Sequence, residues 1–505
     1  MLVVTARVRS PGGRPAPPAF PAPRGRHGLA SPRPATRRVA ATAASASRGR
    51  RRMAPGLALA AALAALATGC ATYTDKVSGA HMAASGGDYA SAISAMNGLL
   101  GVASADQIPS SLSGDKPLYL LDRGTLQQAV ASFPGSQNDF QTAEQRLEVL
   151  DISRDGIATL GGYLYSDSAK TYKIPPAERL SLSALNLLNY IARGDLQGAA
   201  VEARRFQVSR DYFSTIGARS PQPDRIGAYL AGFVFEQLGE NDRALRYYDE
   251  ALGGGGLATL AMPVARLARI SPYRGQNITG MLGGAGGPGG GAAKAASPSG
   301  AIAKQPELLV VMALGRVPHR VPQRMPVGAA VGIAGAMLGD RDLDVLRYSA
   351  TKVLVYPDIV PTPTTIGSVA VTVNGRPAPI DTLGSIGQAV WDEYQASRPK
   401  ILAAALTRVA ARAAVAEGAR AAGNQQSGDL GTVVALVAEA TMVALDKPDT
   451  RSWTMLPERV LVARVPVAPG VQDVRVAFDG GGTGRNVKID VPPGGFGAVV
   501  VTEPR

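Results

Sequence analysis

Between Ala231 and Leu252 the chain sets small and aromatic residues at spacings that suit two closely packed helices. Ala231-Gly232-x-x-Phe235 leads into Leu238-Gly239-Glu240, and then into Ala244-Leu245-x-Tyr247-Tyr248-x-x-Ala251-Leu252. Residues three, four and seven apart lie on one helix face. A glycine between two such runs ends the first helix, because it enters the left-handed region without a Cβ penalty. The small residues let antiparallel helices approach, and the aromatics fill the hole toward the next unit. Three further segments carry the pattern. Gly87-Asp88-Tyr89 precedes Ala92, Ile93, Met96 and Leu99. Gly124, Ser136, Phe140 and Ala143 follow the apolar run Leu118–Leu121. Gly194-Asp195-Leu196 precedes Ala199, Ala203 and Phe206, after Leu187, Leu188 and Tyr190.

This pattern resembles the tetratricopeptide repeat, whose period is ~34 residues. Positions 92, 136, 199 and 244 are spaced more widely, so insertions such as Asp151–Pro176 separate the units. The expected fold class is α+β. An N-terminal all-α helical-repeat (TPR-like) solenoid over 70–275 is followed by a Gly/Pro/Ala-rich linker over 276–304 and a mixed domain over 305–505. Gly284-x-Gly286-x-x-Gly289 has the spacing of a dinucleotide fingerprint, but Pro288 interrupts it and no strand precedes it. In the mixed domain Glu307–Gly315 and Ser368–Val373 read as strands, the second running into an Asn374-Gly375 turn. Ile386–Ala416 reads as two helices broken at Arg398-Pro399, and Leu430–Leu445 as another. Arg459–Pro466, Val471–Phe478, Val487–Val491 and Gly497–Val501 then predict a C-terminal antiparallel β-sheet, with exposed edges at Val471–Phe478 and Gly497–Val501.

The only cysteine, Cys70, follows Arg48, Arg50, Arg51 and Arg52, an apolar stretch Leu57–Ala67, and Thr68-Gly69. A basic run, a short apolar core and small residues before a cysteine predict a lipoprotein signal peptide over 53–69, with lipid (acyl chains such as palmitate) attached to Cys70. The apolar stretch is too short to span a bilayer, which takes ~20 residues. The apolar run Val327–Leu338 is shorter than a span too and reads as a buried helix. Residues 1–52 read as a non-native or disordered leader, either an overlong basic region of the signal or a stretch upstream of a translation start at Met53. Twelve of the 53 basic residues and none of the 39 acidic ones lie in this leader. The remainder carries 41 basic against 39 acidic side chains, so the overall charge of +14 gives no support for nucleic-acid binding. A single cysteine also excludes an intrachain disulfide.

Chemistry-bearing patterns are scarce. His81 and His319 are the only histidines after the leader, and neither sits in a His-x-x-x-His or Cys/His cluster, so no metal site and no cofactor is expected. There is no Gly-x-Ser-x-Gly elbow or phosphate loop, and Asp340, Asp342 and Asp344 lack the glycine and terminal glutamate of a calcium loop. The chain is read as a non-enzyme. Glu202, Arg204 and Arg205 form the most pointed polar cluster, with Glu202 and Arg205 spaced to pair on one helix face. Trp391 and Trp453 read as core.

Lys116-Pro117-Leu118-Tyr119-Leu120-Leu121-Asp122-Arg123-Gly124, Gly194-Asp195-Leu196-Gln197-Gly198-Ala199-Ala200-Val201-Glu202-Ala203-Arg204-Arg205 and Asp449-Thr450-Arg451-Ser452-Trp453-Thr454-Met455-Leu456-Pro457 accompany the lipobox. Together they resemble a family of uncharacterised proteobacterial lipoproteins with tetratricopeptide-like repeats. The resemblance runs from Cys70 to the end of the chain and implies a cell-envelope lipoprotein. A loose analogy with lipoproteins that activate peptidoglycan synthases points to that machinery as the partner. Ala71, rather than Asp, follows Cys70; by its similarity to enterobacterial sorting rules this implies an outer-membrane lipid anchor facing the periplasm. The expected function is a protein-binding scaffold, since stacked repeats present a concave groove. Its expected partner-binding residues are Leu188, Ile191, Tyr229, Phe233 and Gln237 on the inner helices, with Arg204 and Arg205 able to meet a partner carboxylate. The alternative is an assembly component that docks through the exposed strand edges of the C-terminal β module.

Overall fold

A computed structural model describes residues 2–3, 72–149, 172–283, 305–338, 343, 346, 353–423, 448–479 and 483–505. Cys70, the expected signal segment, the Gly284–Gly289 spacing, the Asp340/Asp342/Asp344 group and the expected helix Leu430–Leu445 lie outside the described residues.

Four helical hairpins build the first half: α1 (Tyr73–Ser85) with α2 (Tyr89–Leu100), α3 (Lys116–Ala129) with α4 (Phe133–Glu144), α5 (Pro176–Ala192) with α6 (Leu196–Thr215), and α7 (Pro221–Gln237) with α8 (Asn241–Leu252). Gly87, Gly194 and Gly239 turn three of them in the left-handed region, at φ 78°, 70° and 79°. Asp88 and Asp195 then cap the following helices by accepting from Ser91 N and Gly198 N. The fourth turn places Ala131 at φ 59°, which a sequence reading based on glycine overlooks. Small and aromatic residues interlock as their spacing predicts. A Cβ on Gly124 would stand 2.5 Å from the Phe140 ring, and one on Gly232 would stand 2.5 Å from Tyr248. Two further helices, α9 (Ala261–Ile270) and α10 (Gln276–Gly283), pack back on α8. The linker was expected from residue 276, but its first eight residues are helical because Ile278 is buried and its N–H donates to Asp249.

The strands are β1 (Leu2–Val3), β2 (Glu148–Val149), β3 (Lys173–Ile174), β4 (Glu307–Leu314), β5 (His319–Pro326), β6 (Val353–Val360), β7 (Val369–Val373), β8 (Arg376–Ala378), β9 (Asp381–Ser385), β10 (Arg459–Pro466), β11 (Gly470–Phe478), β12 (Thr483–Val491) and β13 (Phe496–Glu503). They form no single C-terminal antiparallel sheet. A four-stranded sheet has the order β13-β4-β10-β9, with β13 parallel to β4, and a five-stranded sheet has the order β1-β12-β11-β7-β8, so Leu2–Val3, expected in a disordered leader, pair with Val487–Lys488 of β12. Here β11 is paired on both sides, so the expected edge at Val471–Phe478 is closed, whereas β13 does end its sheet.

The four-stranded sheet is the middle of three layers, which follows from the period-two alternation of its residues. Leu309, Val311, Ala313, Val460, Val462, Phe496, Ala498 and Val500 share one core with the helices. Leu308, Val310, Met312, Leu314, Val499 and Val501 form another with the five-stranded sheet. Every residue of β4 is buried, as a strand covered on both faces requires. The described residues of the helical half and of the strand-rich half therefore pack into one compact unit. A third core joins α11 (Val327–Ala334), the β5–β6 hairpin and α12 (Ile386–Gly423). The expected break at Arg398-Pro399 is absent, and α12 runs through Pro399. A mid-helix proline costs ~3 kcal/mol; burial of Tyr394, Ile401, Leu402 and Leu406 around it offsets that cost.

Candidate functional site

The helical layer and the middle sheet meet through a buried ion cluster. Arg464, at an inward position of β10, donates from Nε and Nη2 to Glu307 of β4 at 2.8 and 2.9 Å. It also donates from Nη2 to Glu236 of α7 at 2.8 Å and from Nη1 to the Tyr248 hydroxyl of α8 at 2.9 Å. Tyr248 in turn donates to Glu236, which also receives Arg266 of α9. Gln237 donates to Glu307 Oε1 at 2.5 Å. Burial works against charge on both partners. Even so, Glu307 and Tyr248 hold the Arg464 guanidinium above its ordinary pKa, and Arg464 and Arg266 hold Glu307 below the usual range. Burial and the charge of Arg464 push Arg266 down.

A groove of about 580 Å³ opens beside this cluster. Met262, Arg266 and Arg269 line it from one face of α9, and Pro379, Val465 and Pro466 line it from the sheet side, over Glu307 and Arg464. Two guanidinium and two carboxylate groups balance in the cluster, but Arg269 is exposed and has no hydrogen bond or ion pair among the described residues. The groove can therefore hold an anionic group beside apolar surface. The buried carboxylates are already paired, which leaves no free base in its floor.

The residues expected to line a concave groove are inside the protein. Leu188, Ile191, Tyr229 and Phe233 are fully buried, because the chain's own sheet fills the concavity. Phe233 meets Phe496 of β13 edge-on at 5.2 Å, with the Arg464 guanidinium 5.0 Å from its ring centre. The Tyr229 hydroxyl donates to Thr259, and Gln237 is half-buried against Glu307. None of these five side chains forms an open docking face. Arg204 and Arg205 are exposed. Arg205 lies 3.7 Å from Glu202 and 3.8 Å from Glu144, bridging α6 to α4, and Arg204 has no partner among the described residues. Burial, then the charge of Glu144, raises Glu202 to about 7.

The other singled-out motifs join segments of the fold. Asp122 accepts from Tyr73 Oη at 2.7 Å, Thr454 Oγ1 at 2.9 Å and Met455 N at 2.8 Å, tying Asp449–Pro457 to α1 and α3. Burial raises its carboxyl to about 7 against the pull of those donors. Arg123 is held by both oxygens of Asp139. Trp453 is wholly buried and stands edge-on to Phe140 at 5.5 Å, while Trp391 is only half-buried at the rim of the third core. His81 and His319 meet edge-on at 5.9 Å. Burial, with Arg316 and His319 close by, lowers His81 to about 3. No group of three or more metal-ligating side chains occurs among the described residues, and no described helix is long and apolar enough to cross a membrane.

Arg464, Glu236 and Glu307 were not picked out by the sequence reading. The signal was present, however: Arg464 follows Val460 and Val462 at the same parity, so it points inward, and Glu307 opens an otherwise apolar strand at the parity of Leu309 and Val311. Inward charges on facing strands require buried counter-charges. No protein-family model, no curated protein and no solved structure matches this chain.

Proposed function

We propose that this protein is a lipid-anchored scaffold of the bacterial cell envelope, attached through Cys70 to the outer membrane and facing the periplasm. Its TPR-like helical hairpins form a frame closed by the chain's own sheet, and a protein partner is held in the groove between α9 and the end of β10. The observation that carries the binding reading is Arg269, an uncompensated cation in a groove whose other charges are neutralised. Docking through strand edges is left with β13 alone, since β11 has neighbours on both sides.

Two measurements test this. Cys70→Ser should move the protein from the membrane pellet to the soluble periplasmic fraction, because the attachment needs the several acyl chains that a lipidated cysteine carries, a single chain binding only marginally; retention in the pellet at high salt refutes the anchor. A photoreactive benzoylphenylalanine at Met262, on the groove wall, should give a discrete crosslinked species in intact cells. The same group at Met82, which is 73% exposed on α1, should give none. Equal adducts from both positions, or none from Met262, refute the groove as the partner site.

A further inference from the structure

We infer that the groove recognises a peptide segment carrying a carboxylate flanked by apolar side chains, with the carboxylate seated on Arg269 beside Arg266. The inference deepens the scaffold reading and rests on it. Arg266 and Arg269 are three residues apart on α9, so both reach the same side of the groove. Arg266 already serves Glu236, and Glu307 is taken up by Arg464 and Gln237. An arriving carboxylate therefore meets one guanidinium with all its donors free, and a charge-assisted pair forms without breaking the cluster beneath.

The walls decide what accompanies that carboxylate. Met262 is 60% exposed, and Pro263, Pro379 and Pro466 face the same space. Proline has no N–H, so these walls offer apolar contact and few backbone donors. Strand addition is therefore disfavoured, and side-chain capture is favoured. A volume of about 580 Å³ falls within the ~300–1,000 Å³ range of ligand clefts. The adjoining segment from α10 to the groove residue Gln305 contains Lys294 and Lys304 but no Asp or Glu, so it does not supply that carboxylate.

The probe is a pair of degenerate pentapeptide pools, acetyl-X-X-Glu-X-X-amide and the same pool with Gln at the centre. Each is incubated with the purified protein (in micelles if it is membrane-bound), and bound peptide is recovered by gel filtration and quantified by mass spectrometry. The Glu pool should be enriched at least tenfold over the Gln pool. Arg269→Glu should reduce it to the Gln level, and Arg269→Lys should keep most of it. Acetate and inorganic phosphate should both displace the bound peptide at matched ionic strength, since a guanidinium pairs with either anion. Equal recovery of the two pools, undiminished recovery with Arg269→Glu, or displacement by phosphate alone overturns the inference. If Met262 still crosslinks a partner while the pools bind equally, the groove reading stands and only its carboxylate chemistry falls.

Discussion

Replacing Arg464 by Met tests how the helical layer is joined to the sheet. The substitution keeps an unbranched side chain over Phe233 and removes the four hydrogen bonds made by the guanidinium. Glu236 retains Arg266 and Tyr248, whereas Glu307 retains only Gln237. Glu307 thus becomes a buried carboxylate without a directly bonded counter-ion, keeping only the more distant charge of Arg266, a change that costs about 3–5 kcal/mol. Urea unfolding of wild type and variant at pH 8 should show a gap of that size. The gap has a signed pH dependence. In the wild type, Glu307 titrates below its unfolded value, so its contribution is present above that value and is lost as pH falls through the folded pKa. In the variant, burial without Arg464 raises Glu307 above its unfolded value, so the folded state takes up a proton that the unfolded state lacks. The variant should therefore regain stability as pH falls from 8 to 5, and Arg464→Met/Glu307→Gln should recover more than half of the loss at pH 8. A gap below about 1 kcal/mol, or one equal at both pH values, refutes the reasoning, because either would mean that Glu307 is not an uncompensated buried charge.

Two further changes probe the packing and the buried acids. Gly124→Ala should destabilise by about 1–3 kcal/mol, since its Cβ would overlap the Phe140 ring; Gly79→Ala, with nothing within 4 Å of the new methyl, should stabilise by roughly 0.5–1 kcal/mol in the same denaturation assay. Burial raises Glu393 to about 7, although Ala177 N and Ser220 Oγ donate to it. Its contribution is therefore greatest below the unfolded glutamate value and declines as pH rises toward 7, and Glu393→Gln should flatten the slope of the urea midpoint between pH 5 and 7.5. An unchanged slope would place that titration elsewhere.

The sequence discloses local structure well because hairpin packing is local: the spacing of Gly124, Phe140, Gly232 and Tyr248 is a direct record of which atoms touch. It discloses β4, β10, β11 and β13 within a few residues for the same reason, since alternation is read along one strand. It does not disclose what faces the inner helices. Leu188, Tyr229 and Phe233 are apolar whether they await a partner or meet β13, and nothing within a helix records which apolar surface will cover it. Proximity in the chain also misleads about the sheets, because β10 and β11 are consecutive in sequence and belong to different layers. The groove shows the opposite case. Arg266 and Arg269 are unremarkable in a helix that is basic in its last turn, and only the arrival of Glu236 from α7 separates the neutralised cation from the free one.

The placement of β13 has a consequence for how the protein is made. The Tyr89 hydroxyl of the first hairpin donates to Glu503, a partner 414 residues further along. At ~5–20 residues per second, a ribosome needs about 20–80 s to span that interval. Until β4, β9, β10 and β13 have all been made, the inner faces of α1–α8 lack their complete sheet, so closure is a late, long-range event. A chain with this topology stays open and dependent on holding chaperones while it is being synthesised or moved. It becomes protease-resistant in one late step, when β13 takes its place beside β4.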